Sequence, residues 1–218
     1  MGWFTRIDRF GDSHLCFSQE QTDSCGLAST KMVVFKVNKL RPGQSALTTE
    51  KWVEQIYKKY DSSAVNVGSE GVYFYMLANV LNEMKIGTWK HEKLAADKMA
   101  ELIVGKLKPD TLGLGPINSL LRGFPVVLDV DWGGHGRHVV VLDTVTKVPG
   151  QSAWWLAICD PLDGDVHITK CKKGTPIQYE GRRVTWSINF WGSPEQNYSK
   201  GKTSQGIITN AVYCETAP

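Results

Sequence analysis

The chain has 218 residues, 42% of them hydrophobic, and its 25 basic and 22 acidic residues leave a formal net charge of +3. This length and apolar content predict a folded protein with a sizeable core and exclude a disordered chain. Because the charges are nearly balanced, neither a nucleic acid nor a membrane is expected as a partner.

The cysteine pattern and the amino terminus indicate the cellular compartment in which the protein is made. The five cysteines include no C-x-x-C pair, so neither a zinc ribbon nor a disulfide scaffold is indicated and at least one thiol is expected to be free. The first residues lack a basic segment followed by an apolar run, and no stretch approaches the roughly 20 apolar residues of a membrane span. We expect synthesis in the cytoplasm without a signal peptide. Export by a signal-independent route would leave no trace in the sequence.

The first half of the chain is predicted to be helical. A helix is expected to begin at Cys25, because Asp23 and Ser24 are favourable cap residues and apolar side chains then recur at helical spacing. Further helices are predicted over residues 49–60, 72–84, 96–107 and 117–121, with a short strand over residues 88–92. The predicted apolar sides of the second and third helices are Trp52, Val53, Ile56 and Tyr60, and Tyr73, Leu77, Val80, Leu81 and Met84.

The second half is predicted to be an antiparallel β-sheet. Stretches rich in Val, Ile, Thr and aromatic residues alternate with Gly, Pro and Asp, as strands alternate with turns. They cover residues 124–131, 137–147, 153–160, 165–171, 183–190 and 206–214. Helices first and strands second indicate the α+β class, with N-terminal helices packed on a C-terminal sheet. We expect one domain over residues 1–218, with a helical half to about residue 121 and a sheet half after it.

A hairpin is predicted to pair residues 137–147 with residues 153–160. Its turn is expected at Pro149, because Pro149 and Gly150 supply the backbone angles that a reversal needs. In that register His138 lies directly opposite Asp160, where facing Cβ atoms are about 5 Å apart. A carboxylate held against an imidazole fixes its tautomer and stabilises its protonated form.

Cys25 is the candidate nucleophile. A thiol at a helix N-terminus and beside an imidazolium ion is expected to ionise more readily than a free thiol. Its attack on a carbonyl carbon would create an oxyanion, for which the backbone N–H of Cys25 and the amide of Gln19 are candidate donors. The predicted catalytic set, which needs no cofactor, is Cys25, His138, Asp160 and Gln19.

Several short segments together resemble a known enzyme family. They are Gln19, Cys25-Gly26-Leu27-Ala28, Gly123-Phe124-Pro125-Val126, His138-Val139-Val140-Val141 and Asp160-Pro161. The pattern resembles papain-like cysteine peptidases, and it is closest to the bacterial peptidases that remove bacteriocin leader peptides after a double glycine. The resemblance implies a papain-like fold, with Cys25 as nucleophile, His138 as base and acid, Asp160 as the orienting group and Gln19 as oxyanion donor. Those peptidases usually precede a membrane transporter, which these residues do not include, so their substrate is not carried over.

Two members of the set have alternatives. Gln21 competes with Gln19 as the oxyanion donor, although the six-residue offset from Cys25 favours Gln19. His135 competes with His138 as the base, although His138 begins a strand and fits the hairpin register. No Glu follows these two histidines at helical ligand spacing, so no metal site is expected.

The remaining polar and sulfur-containing residues are expected to be structural. Asp131 and Asp143 are interpreted as strand-end or loop carboxylates, and Trp132 is equally compatible with a cleft wall and with core packing. Cysteines other than Cys25 are expected to be buried. Cys159 should point away from the Asp160 side and into the core, because neighbouring strand residues face opposite ways.

These features predict a cysteine hydrolase that cleaves a peptide or amide bond through a thioester on Cys25. A stand-alone enzyme of this kind fits a bacterial effector or toxin that acts on a protein or peptide. Transglutaminase-like enzymes, deamidases, acyltransferases and cell-wall amidases use the same triad, so the acceptor of the acyl group stays open. The alternative to an enzyme is a catalytically silent binding module. The intact set of four residues argues against it.

Overall fold

The computed structural model describes residues 2–21, 23–39, 50–60, 71–105, 116–121, 123–133, 136–179, 188–189 and 206–216. Its helices are α1 (Cys25–Lys39), α2 (Glu50–Tyr60), α3 (Met76–Glu83), α4 (Ala96–Val104) and α5 (Pro116–Leu121). Its strands are β1 (Gly2–Ile7), β2 (Ser13–Ser18), β3 (Thr88–Lys93), β4 (Val126–Asp131), β5 (Arg137–Lys147), β6 (Trp154–Asp160), β7 (Asp165–Cys171), β8 (Gln178–Tyr179), β9 (Ile188–Asn189) and β10 (Gly206–Thr216).

Seven of these strands form one antiparallel sheet. Its order is β3-β10-β4-β5-β6-β7, and β8 pairs separately with β10. A smaller sheet has the order β2-β1-β9. The fold is therefore mixed α+β, as predicted, and β3 from the helical part of the chain lies at one edge of the large sheet.

The predicted order of helices first and strands second was wrong at the amino terminus. Strands β1 and β2 form a hairpin ahead of α1, with Trp3 paired to Phe17. The Asp8 carboxylate accepts two backbone hydrogen bonds in the turn, where Gly11 has φ +89°. Only Arg6 is buried among the residues of β1, so this strand lacks the alternation of apolar and polar residues that marks a half-buried strand.

Helices α2 and α3 confirm part of the predicted apolar sides. The confirmed core residues are Val53 and Ile56 in α2 and Leu77, Val80 and Leu81 in α3. Trp52, Tyr60 and Tyr73 were also predicted to lie there but are 42%, 40% and 62% exposed. Tyr57, four residues after Val53, is buried instead, and Tyr73 precedes the first residue of α3, where helical spacing does not apply. None of the described helices is long and apolar enough to cross a membrane.

The element boundaries differ in several places from the predicted ones. The predicted strands within residues 124–171 and the last strand agree with β4, β5, β6, β7 and β10 to within two residues. The strand predicted over residues 183–190 is described only at Ile188–Asn189. Helix α4 ends at Val104, short of the predicted residue 107, which lies outside the described residues.

The two faces of the large sheet carry separate apolar clusters. One cluster joins sheet residues such as Val141 and Cys159 to α1, α2 and α3, and the other joins Leu142 and Ile158 to α4. Adjacent residues of a strand face opposite ways, so the continuous apolar run at residues 139–142 supplies both clusters. Helix α1 is consequently held against one face of the sheet at β5.

Candidate active site

Cys25 is the first residue of α1, as predicted. Ser24 shapes the chain before it, because its hydroxyl donates to the carbonyl of Gln21 at 3.0 Å and its carbonyl accepts from the N–H of Ala28 at 2.9 Å. Cys25 is partly exposed, whereas the other four cysteines are buried, as predicted. The accessible thiol therefore lies at the positive end of a helix dipole.

A separate segment of chain packs against this helix start. A Cβ atom added at Gly26 would lie 2.1 Å from Cγ2 of Val72, so only a glycine allows this contact. Tyr73 and Tyr75 follow, and their exposed rings stack with centroids 5.8 Å apart. An aromatic surface thus borders the nucleophile's helix, a feature that the sequence reading missed because it assigned Tyr73 to the core.

His138 and Asp160 are in direct contact. Nε2 of His138 lies 2.6 Å from Oδ1 of Asp160, and the two residues are 9% and 0% exposed. Cys25 lies near His138 and contributes to raising the pKa of its imidazole. Since Nε2 faces Asp160, the ring nitrogen left for the thiol is Nδ1. The predicted base and carboxylate are therefore hydrogen-bonded, and the predicted nucleophile lies beside them.

The predicted register of the hairpin was wrong by two residues. Val141 pairs with Cys159, and continuing this alignment places Val140, not His138, opposite Asp160. His138 and Asp160 are thus diagonal neighbours, which long side chains can still bridge. The last pair before the turn joins Lys147 to Trp154, so the turn comprises residues 148–153 instead of being centred on Pro149.

A β-bulge at Asp143 decides which face of the sheet His138 occupies. On the turn side of the bulge, Thr144 pairs with Ala157. That alignment, continued without a bulge, would place Asp160 opposite Val141 and hence on the face away from His138. The one extra residue in β5 shifts the alignment by one and returns the two side chains to the same face.

The electrostatics favour an ionised pair. Burial opposes the charge on His138, but the carboxylate of Asp160 and the hydrogen bonds to Asp160 and Cys25 outweigh it and raise the pKa of His138 well above its usual value. Burial likewise opposes the charge on Asp160, yet the nearby imidazole of His138 holds the pKa of that carboxyl group below its usual range. The pair is therefore suited to store a proton on the imidazole at neutral pH.

Tyr179 completes the hydrogen bonding of Asp160. Its hydroxyl donates to Oδ2 at 2.6 Å, while the backbone N–H of Leu162 donates to Oδ1 at 2.8 Å. Pairing of β8 with β10 places Tyr179, and the rings of Trp132 and His167 contact it at centroid distances of 6.2 and 5.8 Å. The sequence reading missed Tyr179, which lies on a two-residue strand without any motif.

Gln19 lies beside the Asp160 segment. Its backbone N–H donates to the carbonyl of Pro161 at 2.7 Å, and its Nε2 donates to the carbonyl of Gln21 at 2.7 Å. Gln19 is 8% exposed, whereas the side chain of Gln21 faces solvent. Of the two candidate oxyanion donors, Gln19 is therefore the one attached to the turn that follows Asp160.

Other sequence-predicted residues have mixed outcomes. Asp131 ends β4, as expected, and accepts a hydrogen bond from the N–H of Gly133 at 2.7 Å. Asp143 is not a strand-end or loop residue, because it lies inside β5 at the bulge. Trp132 packs against the apolar cluster on the α4 side of the sheet. His135 lies outside the described residues.

Two groups of described side chains have metal-ligand atoms within 4.8 Å of one another. They are His14, Asp143 and Cys159, and Asp160, Asp163 and His167. In the first group the ammonium of Lys36 contacts Asp143 at 2.6 Å and Cys159 at 3.7 Å, so a protein cation already fills it. In the second, His138 and Tyr179 bind the oxygens of Asp160. Both groups thus have their ligand atoms engaged by protein partners.

In comparisons with known proteins, neither a family model nor a curated protein matches the chain.

Proposed function

We propose that the protein is a papain-like cysteine hydrolase that cleaves a peptide or amide bond through a thioester on Cys25. The observation that carries the proposal is the hydrogen-bonded pair of His138 and Asp160 beside a partly exposed thiol at the start of a helix. A nucleophile, a base in contact with it and a group that orients the base are the minimum for covalent catalysis of acyl transfer.

The first half of the reaction forms the thioester. The thiolate of Cys25 attacks the carbonyl carbon, and the resulting oxyanion accepts hydrogen bonds from the N–H of Cys25 and from Nε2 of Gln19. Nδ1–H of His138 gives its proton to the departing amine, so the C–N bond breaks and the acyl group stays on sulfur. Asp160 remains ionised and keeps the imidazole oriented.

The second half hydrolyses the thioester. Nδ1 of His138 takes a proton from water as the water oxygen attacks the thioester carbon. The C–S bond breaks, the acid product leaves, and the thiolate and imidazolium pair is restored. Tyr179 acts in both halves as a positioning residue, because its hydrogen bond fixes the second oxygen of Asp160.

The test is a comparison of the protein with its Cys25→Ala variant on protein extracts and on purified murein. Mass spectrometry should find new chain termini or deamidated sites only with the intact thiol. Cys171→Ala is the matched control, because Cys171 is fully buried on another strand and should leave the products unchanged. Equal product formation by the Cys25→Ala variant would overturn the assignment.

A further inference from the structure

A second cluster of ionisable groups, which are buried or largely buried, lies outside the candidate active site. The ammonium of Lys36 is 2.6 Å from Oδ1 of Asp143, and Nδ1 of His14 is 2.8 Å from Oδ2 of the same carboxylate. Lys36 also lies 3.7 Å from the sulfur of Cys159, whose neighbour is the thiol of Cys16. We call these residues, His14, Cys16, Lys36, Asp143 and Cys159, the anchor cluster.

Each member of the anchor cluster lies on a secondary-structure element that carries a residue of the proposed site or leads directly into one. Lys36 is on α1 with Cys25, and Asp143 is on β5 with His138. On β6, Cys159 directly precedes Asp160. His14 and Cys16 belong to β2, which leads directly into Gln19. One cluster thus joins the three elements that carry the nucleophile, base and carboxylate to the strand that precedes the oxyanion donor.

The geometry of α1 on β5 shows how the cluster acts on the site. Lys36 is eleven residues beyond Cys25, about 16 Å along a helix. Asp143 is five residues beyond His138, also about 16 Å along a strand. The contacts Cys25–His138 and Lys36–Asp143 therefore lie at the two ends of one helix-on-strand interface. Between them the hydroxyl of Ser29 donates to the carbonyl of Val139 at 3.1 Å.

Charge balance explains why the contact between Lys36 and Asp143 is strong. Burial disfavours ionisation of Asp143, but Lys36 and His14 outweigh it and hold the pKa of this carboxyl group far below its usual range. Burial also opposes the charge on His14, whose pKa is nevertheless raised by the hydrogen bond to Asp143. The neighbouring Asp8 carboxylate lies 3.3 Å from Nε2 of His14 and offsets its charge. Each charge in this dry environment thus depends on its partner.

We propose that Lys36, His14 and Asp143 are positioning residues, which anchor α1 and β2 to the bulge of β5 and thereby align Cys25 and Gln19 with His138. The proposal rests on the proposed function, since it names residues that set the geometry of the same site. Asp143 has two structural roles, because it is also the extra residue that places His138 on the same face as Asp160. A displacement of α1 by about 1 Å would be enough to slow the chemistry up to a hundredfold.

Three variants separate this role from simple stabilisation. Lys36→Met and Asp143→Asn each leave buried charges without their partner and should lower the thermal midpoint. The double variant removes both charges of the contact, and such replacements are often neutral in stability. We expect iodoacetamide to alkylate Cys25 at pH 6 about tenfold more slowly in all three variants, including the double variant whose midpoint recovers.

The matched control is Ile103→Ala, which removes buried side-chain volume from α4 on the other face of the sheet. It should lower the midpoint and leave the alkylation rate of Cys25 unchanged. Lys36→Arg keeps the charge and should stay within about twofold of the natural protein even if Lys36→Met fails to fold. Wild-type alkylation in the double variant, or equal slowing in the Ile103→Ala control, would overturn the proposal.

The pKa of the His138 imidazole, measured by NMR, is the second readout. It should fall in the anchor-cluster variants, because the displacement of Cys25 removes one of the contacts that raise it. This measurement needs no substrate. A protein that cleaves nothing would refute the proposed function, and the NMR titration and alkylation rates would still decide the positioning role separately.

Discussion

The strand pair β5–β6 contributes to two buried histidine–aspartate pairs that differ in their surroundings. His138 and Asp160 are 2.6 Å apart, and His14 and Asp143 are 2.8 Å apart. In the first pair the second ring nitrogen turns to a partly exposed thiol, and the carboxylate is otherwise bound by uncharged donors. In the second, the carboxylate also binds Lys36, and the nearby thiols are fully buried.

Two differences set the proposed catalytic pair apart from the pair formed by His14 and Asp143. Distance between imidazole and carboxylate does not distinguish them. The presence of a second cation distinguishes the two pairs. Lys36 already neutralises Asp143, and the charge of His14 is therefore left to be balanced by Asp8. Access to the thiol also distinguishes the two pairs, because a substrate can reach only a thiol that is exposed.

The largest expected difference concerns the thiols. Iodoacetamide near neutral pH should label Cys25 about a thousandfold faster than Cys159, because a buried thiol reacts only after the structure opens locally. Peptide mapping by mass spectrometry gives both rates in one sample. Similar rates for Cys25 and Cys159 would contradict the difference in thiol accessibility between the two pairs. Labelling of Cys25 no faster than a model thiol would favour a catalytically silent binding module.

The same substitution in the two pairs should have different effects. Asp160→Asn should lower the pKa of His138 by about 1 to 3 units, since the carboxylate that stabilises the imidazolium is gone. Activity at pH 7 should fall at least about tenfold, as the imidazolium is then lost at a lower pH. The fold should persist, because the asparagine oxygen can still accept from the N–H of Leu162. NMR titration and thermal unfolding measure both effects.

The pH dependence of stability should also change in the Asp160→Asn variant. In the natural protein the folded-state pKa of His138 is raised, so its contribution to stability is complete below about pH 6.5 and is lost as the pH rises through the raised value. Asp160→Asn should flatten that alkaline loss. Asp143→Asn should instead cost about 3 to 5 kcal/mol of stability, because it leaves Lys36 and His14 charged and buried. A larger loss of stability in Asp160→Asn would contradict the distinction.

The smallest expected effect is that of removing a single hydroxyl group. Tyr179→Phe keeps the ring but leaves Oδ2 of buried Asp160 without its donor, which should cost about 1 to 3 kcal/mol and raise the pKa of that carboxyl group. The matched variant is Tyr213→Phe, whose hydroxyl donates at 2.8 Å to Glu92, a more exposed carboxylate. Denaturant titration of the two variants should show the smaller loss for Tyr213→Phe.

Local signals accounted for the parts of the site that could be predicted. Cap residues identified Cys25 as a helix start. The Gly, Pro and Asp residues between the strands identified the hairpin that brings His138 to Asp160. The register could not be fixed in the same way. Pro149 and Gly150 mark a turn without giving its length, and the bulge leaves no pattern because Asp143 interrupts the apolar run as any solvent-facing residue would.

Contacts between distant segments account for the parts that could not be predicted. Lys36 looks like an exposed residue of a helix until β5 and β6 supply the carboxylate and sulfur that surround its ammonium group. Tyr179 likewise acquires its role only because β10 pairs with β8. Tyr73, which stacks on Tyr75, was assigned to the core because aromatic side chains at helical spacing to apolar residues usually lie there.

The bulge at Asp143 also determines where the chain can change in length. Residues 148–153 lie outside the β5–β6 pairing, so insertions there should leave His138 and Asp160 in place. Removal of one residue between His138 and Asp143 would exchange the faces of the two site residues, whereas removal of two would preserve them. Relatives of this protein should therefore vary freely in the turn, and in this part of β5 only by even numbers of residues.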